Sequence, residues 1–121
     1  MTAVLIVEDD PDTQAILQAY LMTLGTEVSL AATAEEARQL IGQAVPALMV
    51  IDIGLPDDDG VSLLADLKAR HGLAATRTIA VTAYSDPVTR ERVLSAGFHD
   101  ILWKPIDGQD FLRAVRRQLD G

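Results

Sequence analysis

The chain has 121 residues and a mass of 13.0 kDa, near the commonest size of a single domain and long enough to bury roughly two thirds of the surface its unfolded form exposes. With 49% apolar and 23% charged residues, no apolar run near the roughly 18 residues of a membrane span and no basic leader, it reads as one globular, cytoplasmic domain over 1–121 with no membrane contact. A net charge of −8 argues against direct nucleic-acid binding, which rests on Lys and Arg.

An apolar run, Ala3–Val7, opens the chain as a strand. Asp10-Pro11 then supplies an N-cap followed by proline at the first helical position, where its missing N–H costs nothing. The stripe Ile16, Leu17, Tyr20, Leu21 and Leu24, closed by Gly25, predicts the first helix. A short strand over Glu27–Ala31 follows, then a capping box Thr33-Ala34-Glu35-Glu36 ahead of Ala37, Leu40 and Ile41. The third strand, Ala47–Ile51, is continuously apolar, as a strand covered on both faces should be. After an acidic loop over 52–60 comes a helix through Leu63, Leu64 and Leu67, then a strand over Thr78–Thr82. Asp86-Pro87 opens a helix that Gly97 stops, and Ile101–Trp103 is the last strand. Asp107 caps a final helix, with Ile106 and Phe111 spaced as a hydrophobic staple.

Five strand–helix cycles without a hairpin signal predict a doubly wound α/β fold, a five-stranded parallel sheet in a three-layer flavodoxin-like sandwich, because parallel strands need crossovers. Such sheets bind ligands beyond the carboxyl ends of their strands. In strand order 2-1-3-4-5, four adjacent ends carry polar groups: Glu8 and Asp9, Asp52, Thr82 and Lys104. Acidity is also concentrated: residues 1–60 hold eleven acids against one base, Arg38.

Taken singly, each of these residues has an ordinary role. Glu8 and Asp9 favour a helix N-terminus, Asp52 caps a turn, and Lys104 neutralises Asp52. Together they make a site of three carboxylates whose mutual repulsion calls for a proton or a cation. With no cysteine in the chain and only His71 and His99 as imidazoles, both expected in loops and without chemistry, a bound metal must have oxygen ligands. Mg²⁺ suits such a set and keeps positions open for a phosphoryl group. Asp52 is then placed as a nucleophile toward phosphorus, with Lys104 offsetting charge on the phosphoryl oxygens and the Thr82 hydroxyl donating to one of them.

The segments VLIVEDDP (4–11), VIDIGLPDDDG (50–60), AVTAYSD (80–86) and AGFHDILWKPID (96–107) together resemble the receiver domain of two-component response regulators, over the whole chain. The resemblance implies that Asp52 is the phospho-acceptor and that Glu8 and Asp9 hold Mg²⁺; of the two, Asp9 is expected to be the stronger ligand and Glu8 to act partly through bound water. It further implies that the Gly54 carbonyl completes the protein ligands, that Thr82 and Lys104 are the switch hydroxyl and phosphate-contacting lysine, and that Lys104-Pro105 is cis. The donor it implies is a phosphohistidine on a sensor histidine kinase or a histidine phosphotransfer domain, feeding a downstream protein target. A monomer or weak homodimer is expected. Both a free-standing receiver and one belonging to a larger kinase or regulator fit the length.

Three residues before the lysine, where many receivers carry an aromatic, stands Ile101. It is expected to share with Trp103 the side covered by the fourth and fifth helices. Trp103 and Tyr84 either substitute for the missing ring or pack on a flanking helix, and Tyr84 and Gly54 occupy the positions expected to tune phosphoryl lifetime. Ile101 also leaves open a pseudo-receiver that only binds partners. A haloacid-dehalogenase-like phosphatase would want a second acid where Gly54 stands, and a flavodoxin-like flavin binder would want a Ser/Thr-rich loop where Glu8 and Asp9 stand.

Overall fold

The computed structural model describes residues 2–120. Five strands and five helices alternate strictly: β1 Ala3–Val7, α1 Pro11–Met22, β2 Glu27–Ala31, α2 Ala34–Gln43, β3 Leu48–Asp52, α3 Gly60–His71, β4 Arg77–Thr82, α4 Pro87–Ser95, β5 Asp100–Trp103 and α5 Gly108–Asp120. The strands form one parallel sheet in the order β2-β1-β3-β4-β5, as the crossovers required. Its register pairs Val7 with Ile51, Asp52 with Val81 and Thr82 with Trp103, so these strand ends lie along one edge.

Period-two alternation within each central strand divides the core into two layers. Val4, Ile6, Leu48, Val50, Ile79 and Val81 meet Leu17 and Leu21 of α1 and Phe111, Ala114 and Val115 of α5. Leu5, Val7, Met49, Ile51 and Ala80 face α2, α3 and α4 through Ala37, Ile41, Leu64, Leu67 and Val93. All five residues of β3 are buried, which explains its unbroken apolar pattern. Ile106 packs on the layer containing Phe111, as a staple should.

Four helix starts follow the sequence signals: Asp10, Thr33 and Asp86 accept N–H groups of α1, α2 and α4, and Asp107 accepts the Asp110 N–H at 3.0 Å. Asp59, within the acidic loop, caps α3. The expected capping box is displaced by one residue: Glu36 accepts from Ala32 rather than Thr33, at 3.1 Å. β3 includes Asp52 and begins at Leu48, β4 begins at Arg77, and α4 ends at Ser95, capped by Ala96, before Gly97.

Three expectations need correction. Ile16 belongs to the apolar stripe of α1 but is 54% exposed, because α1 meets the core through Leu17 and Leu21, with Tyr20 packed at their side. α4 and α5 cover opposite faces: α4 joins β4 to β5 on the face that carries α2 and α3, whereas α5 follows the last strand and packs beside α1. Ile101 therefore packs with the α2–α4 layer alone, while Leu102 faces α1 and α5. Finally, His71 lies at the end of α3 and not in a loop, whereas His99 does lie in the loop before β5, where its role is structural. Its Nδ1 accepts the Thr78 N–H at 2.9 Å and lies 3.1 Å from Thr78 Oγ1.

Candidate functional site

The carboxyl edge of the sheet gathers side chains that are far apart in sequence. Glu8 leaves β1 and is 1% exposed, while Asp52 ends β3 at 6%. Asp9, beside Glu8, is exposed. Carboxylate oxygens of Glu8, Asp9 and Asp52 lie within 4.8 Å of one another. Lys104, which follows β5, brings Nζ to 3.1 Å from Asp52 Oδ2 and 2.8 Å from Glu8 Oε1. The second contact makes Lys104 the charged partner of the buried Glu8 Oε1. Burial alone would lower the Lys104 pKa, but the Glu8 and Asp52 carboxylates outweigh it and raise the value above 10.5.

One ammonium among three clustered carboxylates leaves the site short of positive charge. The donor set is all oxygen, so the residues present fit a hard divalent cation.

The remaining candidates are held by backbone contacts. Thr82 is 1% exposed, and its hydroxyl accepts the Tyr84 N–H at 3.0 Å, while its carbonyl accepts the Lys104 N–H at 2.8 Å. The Gly54 N–H donates to Asp52 Oδ1 at 3.0 Å. The Lys104-Pro105 bond is cis. Trp103 packs toward α4, with Arg90 Cζ 5.9 Å from its ring centre, whereas Tyr84 is 69% exposed. Ile101 is half-buried.

Two supports escaped the motif reading. Gln14 Nε2 donates to the Glu8 carbonyl at 2.6 Å, with no signal in the sequence beyond its place one turn into α1. Arg38 reaches Asp58 Oδ2 at 2.6 Å and Asp66 Oδ2 at 2.8 Å. Its isolation as the one base among eleven acids was a visible signal.

With this geometry established, the response regulator receiver domain model matches residues 4–116. The chain belongs to the receiver domain family. An uncharacterized 14.6 kDa protein of Leptolyngbya boryana is 35% identical over 94% of this receiver and 87% of its own length. A response regulator structure from Chloroflexus aurantiacus superposes with a TM-score of 0.91 at 30% identity, covering 99% of this chain and 98% of its own. The receiver domain of a sensor histidine kinase from Pseudomonas aeruginosa PAO1, solved with a magnesium ion coordinated in its active-site cleft, gives a TM-score of 0.89 at 30% identity over 99% and 98% of the two chains. The chain spans about half the length of several transcriptional regulatory proteins it matches, 48% for GltR of Pseudomonas aeruginosa. No helix among the described residues is long and apolar enough to cross a membrane.

Proposed function

We propose that residues 1–121 form one receiver domain of a two-component phosphorelay, acting in the cytoplasm, in which Asp52 takes a phosphoryl group from a phosphohistidine on a sensor histidine kinase or histidine phosphotransfer domain. The observation that carries this reading is the meeting, at one sheet edge, of the Asp52 carboxylate with Lys104 Nζ at 3.1 Å and with oxygens of Glu8 and Asp9 within 4.8 Å. An Asp52 oxygen attacks phosphorus, the N–P bond breaks, and the imidazole leaves with the electron pair and takes up a proton. Asp52 is 6% exposed, so its burial limits the direction of approach, and the Gly54 N–H and Lys104 orient the carboxylate beforehand.

Glu8, Asp9, Asp52 and the Gly54 carbonyl would hold Mg²⁺. When bound, that ion neutralises charge on the phosphoryl oxygens. Lys104, kept protonated by its two acidic neighbours, offsets the same charge. The Thr82 hydroxyl, now accepting from Tyr84, has its proton free to donate to a phosphoryl oxygen. The chain catalyses only its own phosphorylation and dephosphorylation, and phosphorylation alters the binding of a protein target. Neither nucleic acid nor a membrane is a direct partner, and self-association is weak or absent.

Treatment of the purified chain with a small-molecule phosphodonor, with and without Mg²⁺, tests the reading by intact mass. The parent should gain one phosphoryl mass in the presence of Mg²⁺, and Asp52→Asn should gain none while keeping its circular dichroism. Equal incorporation by the Asn variant would assign the acceptor elsewhere.

A further inference from the structure

Three consecutive aspartates in the loop between β3 and α3 tie it to three helices, Asp57 and Asp58 to α2 and Asp59 to α3 and α4. Asp57 accepts the Ala34 N–H at 2.8 Å and the Glu35 N–H at 3.0 Å, covering the N-terminus of α2 from 22 or more residues away in sequence. Asp58 accepts Arg38 Nη2 of α2 at 2.6 Å. Asp59 caps α3 and pairs with Arg92 of α4 at 2.9 Å. Arg38 extends the strap further, since its Nε donates to Asp66 of α3 at 2.8 Å. The Arg38 side chain is 23% exposed and those of Asp58 and Asp66 are 27% and 30%, so these are charge-assisted bonds in a partly desolvated setting. The two N–H groups of α2 hold the Asp57 carboxyl below the usual aspartate range.

The loop is too tightly closed for these ties to stay local. Gly54 bridges Asp59 in antiparallel fashion, and the Gly60 N–H donates to the Ile53 carbonyl at 2.8 Å. At Gly60 the fit is so close that a Cβ would lie 2.7 Å from the Asp52 carbonyl oxygen. A displacement of residues 57–58 therefore moves residues 53–54, and with them the backbone next to the acceptor.

We propose that Arg38 and Asp57 are positioning residues for cation binding: by strapping the loop to α2 they hold the Gly54 carbonyl and the Asp52 carboxylate at the spacing that a small octahedral cation demands. This rests on the reading above, in which both groups are Mg²⁺ ligands. Neither Arg38 nor Asp57 is a candidate ligand. Their effect is to remove slack that the ion would otherwise have to order on binding. Linkage makes the coupling reciprocal, so Mg²⁺ should in turn protect the Ala34 and Glu35 amides at the start of α2.

The full chain, titrated with MgCl₂ and followed by the amide signals of Glu8 and Gly54, tests the proposal. Arg38→Met and Asp57→Asn should each raise the Mg²⁺ Kd by about tenfold, the low end for removing a group that orients metal ligands. Asp57→Asn keeps the side chain's size and one acceptor oxygen, so it serves if Arg38→Met unfolds. Arg113→Met, which removes an exposed pair with Asp110 on α5, should leave the Kd unchanged. With a phosphodonor, the two strap variants should need more Mg²⁺ for half-maximal phosphorylation yet reach the parent's rate at saturation. Lower melting temperatures with an unchanged Kd would make the straps purely structural and overturn the proposal while leaving the Mg²⁺ reading intact. A parent that shows no saturable Mg²⁺ binding would overturn both.

Discussion

Glu8 and Asp9 are adjacent acids in opposite surroundings. Glu8 is buried, with Oε2 accepting the Asp10 N–H at 3.0 Å and Oε1 beside Lys104, so its charge is already partly compensated. Asp9 is exposed next to the same cluster. Asp9→Asn should therefore weaken Mg²⁺ binding more than Glu8→Gln does, by on the order of tenfold, as ranked by metal titration. In chelator, Asp9→Asn should raise the melting temperature by about 1–3 °C through relief of repulsion. Glu8→Gln should not, because Lys104 then loses a partner.

His99 supplies a pH dependence remote from the site. Burial first, then Arg77 and Lys68, lower its pKa below 6.5, and its Nδ1 must stay unprotonated to accept the Thr78 N–H. The unfolded chain thus binds the proton more readily. The His99 contribution to stability is complete above the unfolded value of 6.5 and falls away as pH drops through 6.5 toward the lower folded value. Urea midpoints measured from about pH 7.5 down to about 5.5 should fall for the parent. His99→Asn, which can accept the same N–H without titrating, should flatten that slope.

At the scale of elements, α2 and α3 carry glycines of opposite value. Gly42 lies exposed inside α2, and a Cβ there would meet nothing within 4 Å. Gly42→Ala should stabilise the chain by about 0.5–1 kcal/mol through helix propensity alone. At Gly60, the first residue of α3, the added Cβ would also sit 2.9 Å from Ile53 Cα. Gly60→Ala should therefore cost about 1–3 kcal/mol by overpacking against backbone, and it should disturb Asp52 as well. Denaturant midpoints of the two variants, moving in opposite directions, check the pair. The same close approach of Gly60 to Ile53 closes the loop over 53–60, which is tied to α2, α3 and α4.

Across the whole molecule, the sheet order β2-β1-β3-β4-β5 makes the ends of β1, β3, β4 and β5 contiguous, so a change at Asp52 has two exits. One runs through the loop after Asp52 to α2 and α3, and the other through Thr82 and the segment before α4. With Ile101 half-buried where an aromatic switch would stand, no ring is available there to swing. Comparison of apo and fluoroberyllate-bound amide spectra should show large shifts over residues 53–60 and 82–90 and small ones at Ile101. A dominant shift at Ile101 with a silent 82–90 loop would reverse this route. Ile101→Tyr should change affinity for a protein target more than affinity for Mg²⁺, because its side chain faces the α4 layer.

Much of this protein was determined by local pattern. Unbroken apolar runs, helical stripes and the caps at Asp10, Thr33, Asp86 and Asp107 are near-neighbour effects, and they place every strand and the start of every helix to within a residue. The absence of hairpin signals implies parallel strands, and polar residues at strand ends mark Glu8, Asp9, Asp52, Thr82 and Lys104 as one candidate site. Tertiary structure decided what depends on partners distant in the chain. It turned Ile16 outward, set α4 and α5 on opposite faces, paired the buried Glu8 Oε1 with Lys104, and used Asp57 to cap a helix begun by Thr33. Periodicity records which side of an element is apolar, whereas the partner of a given charge is chosen by how the crossovers stack the helices, and no short window of sequence contains that information.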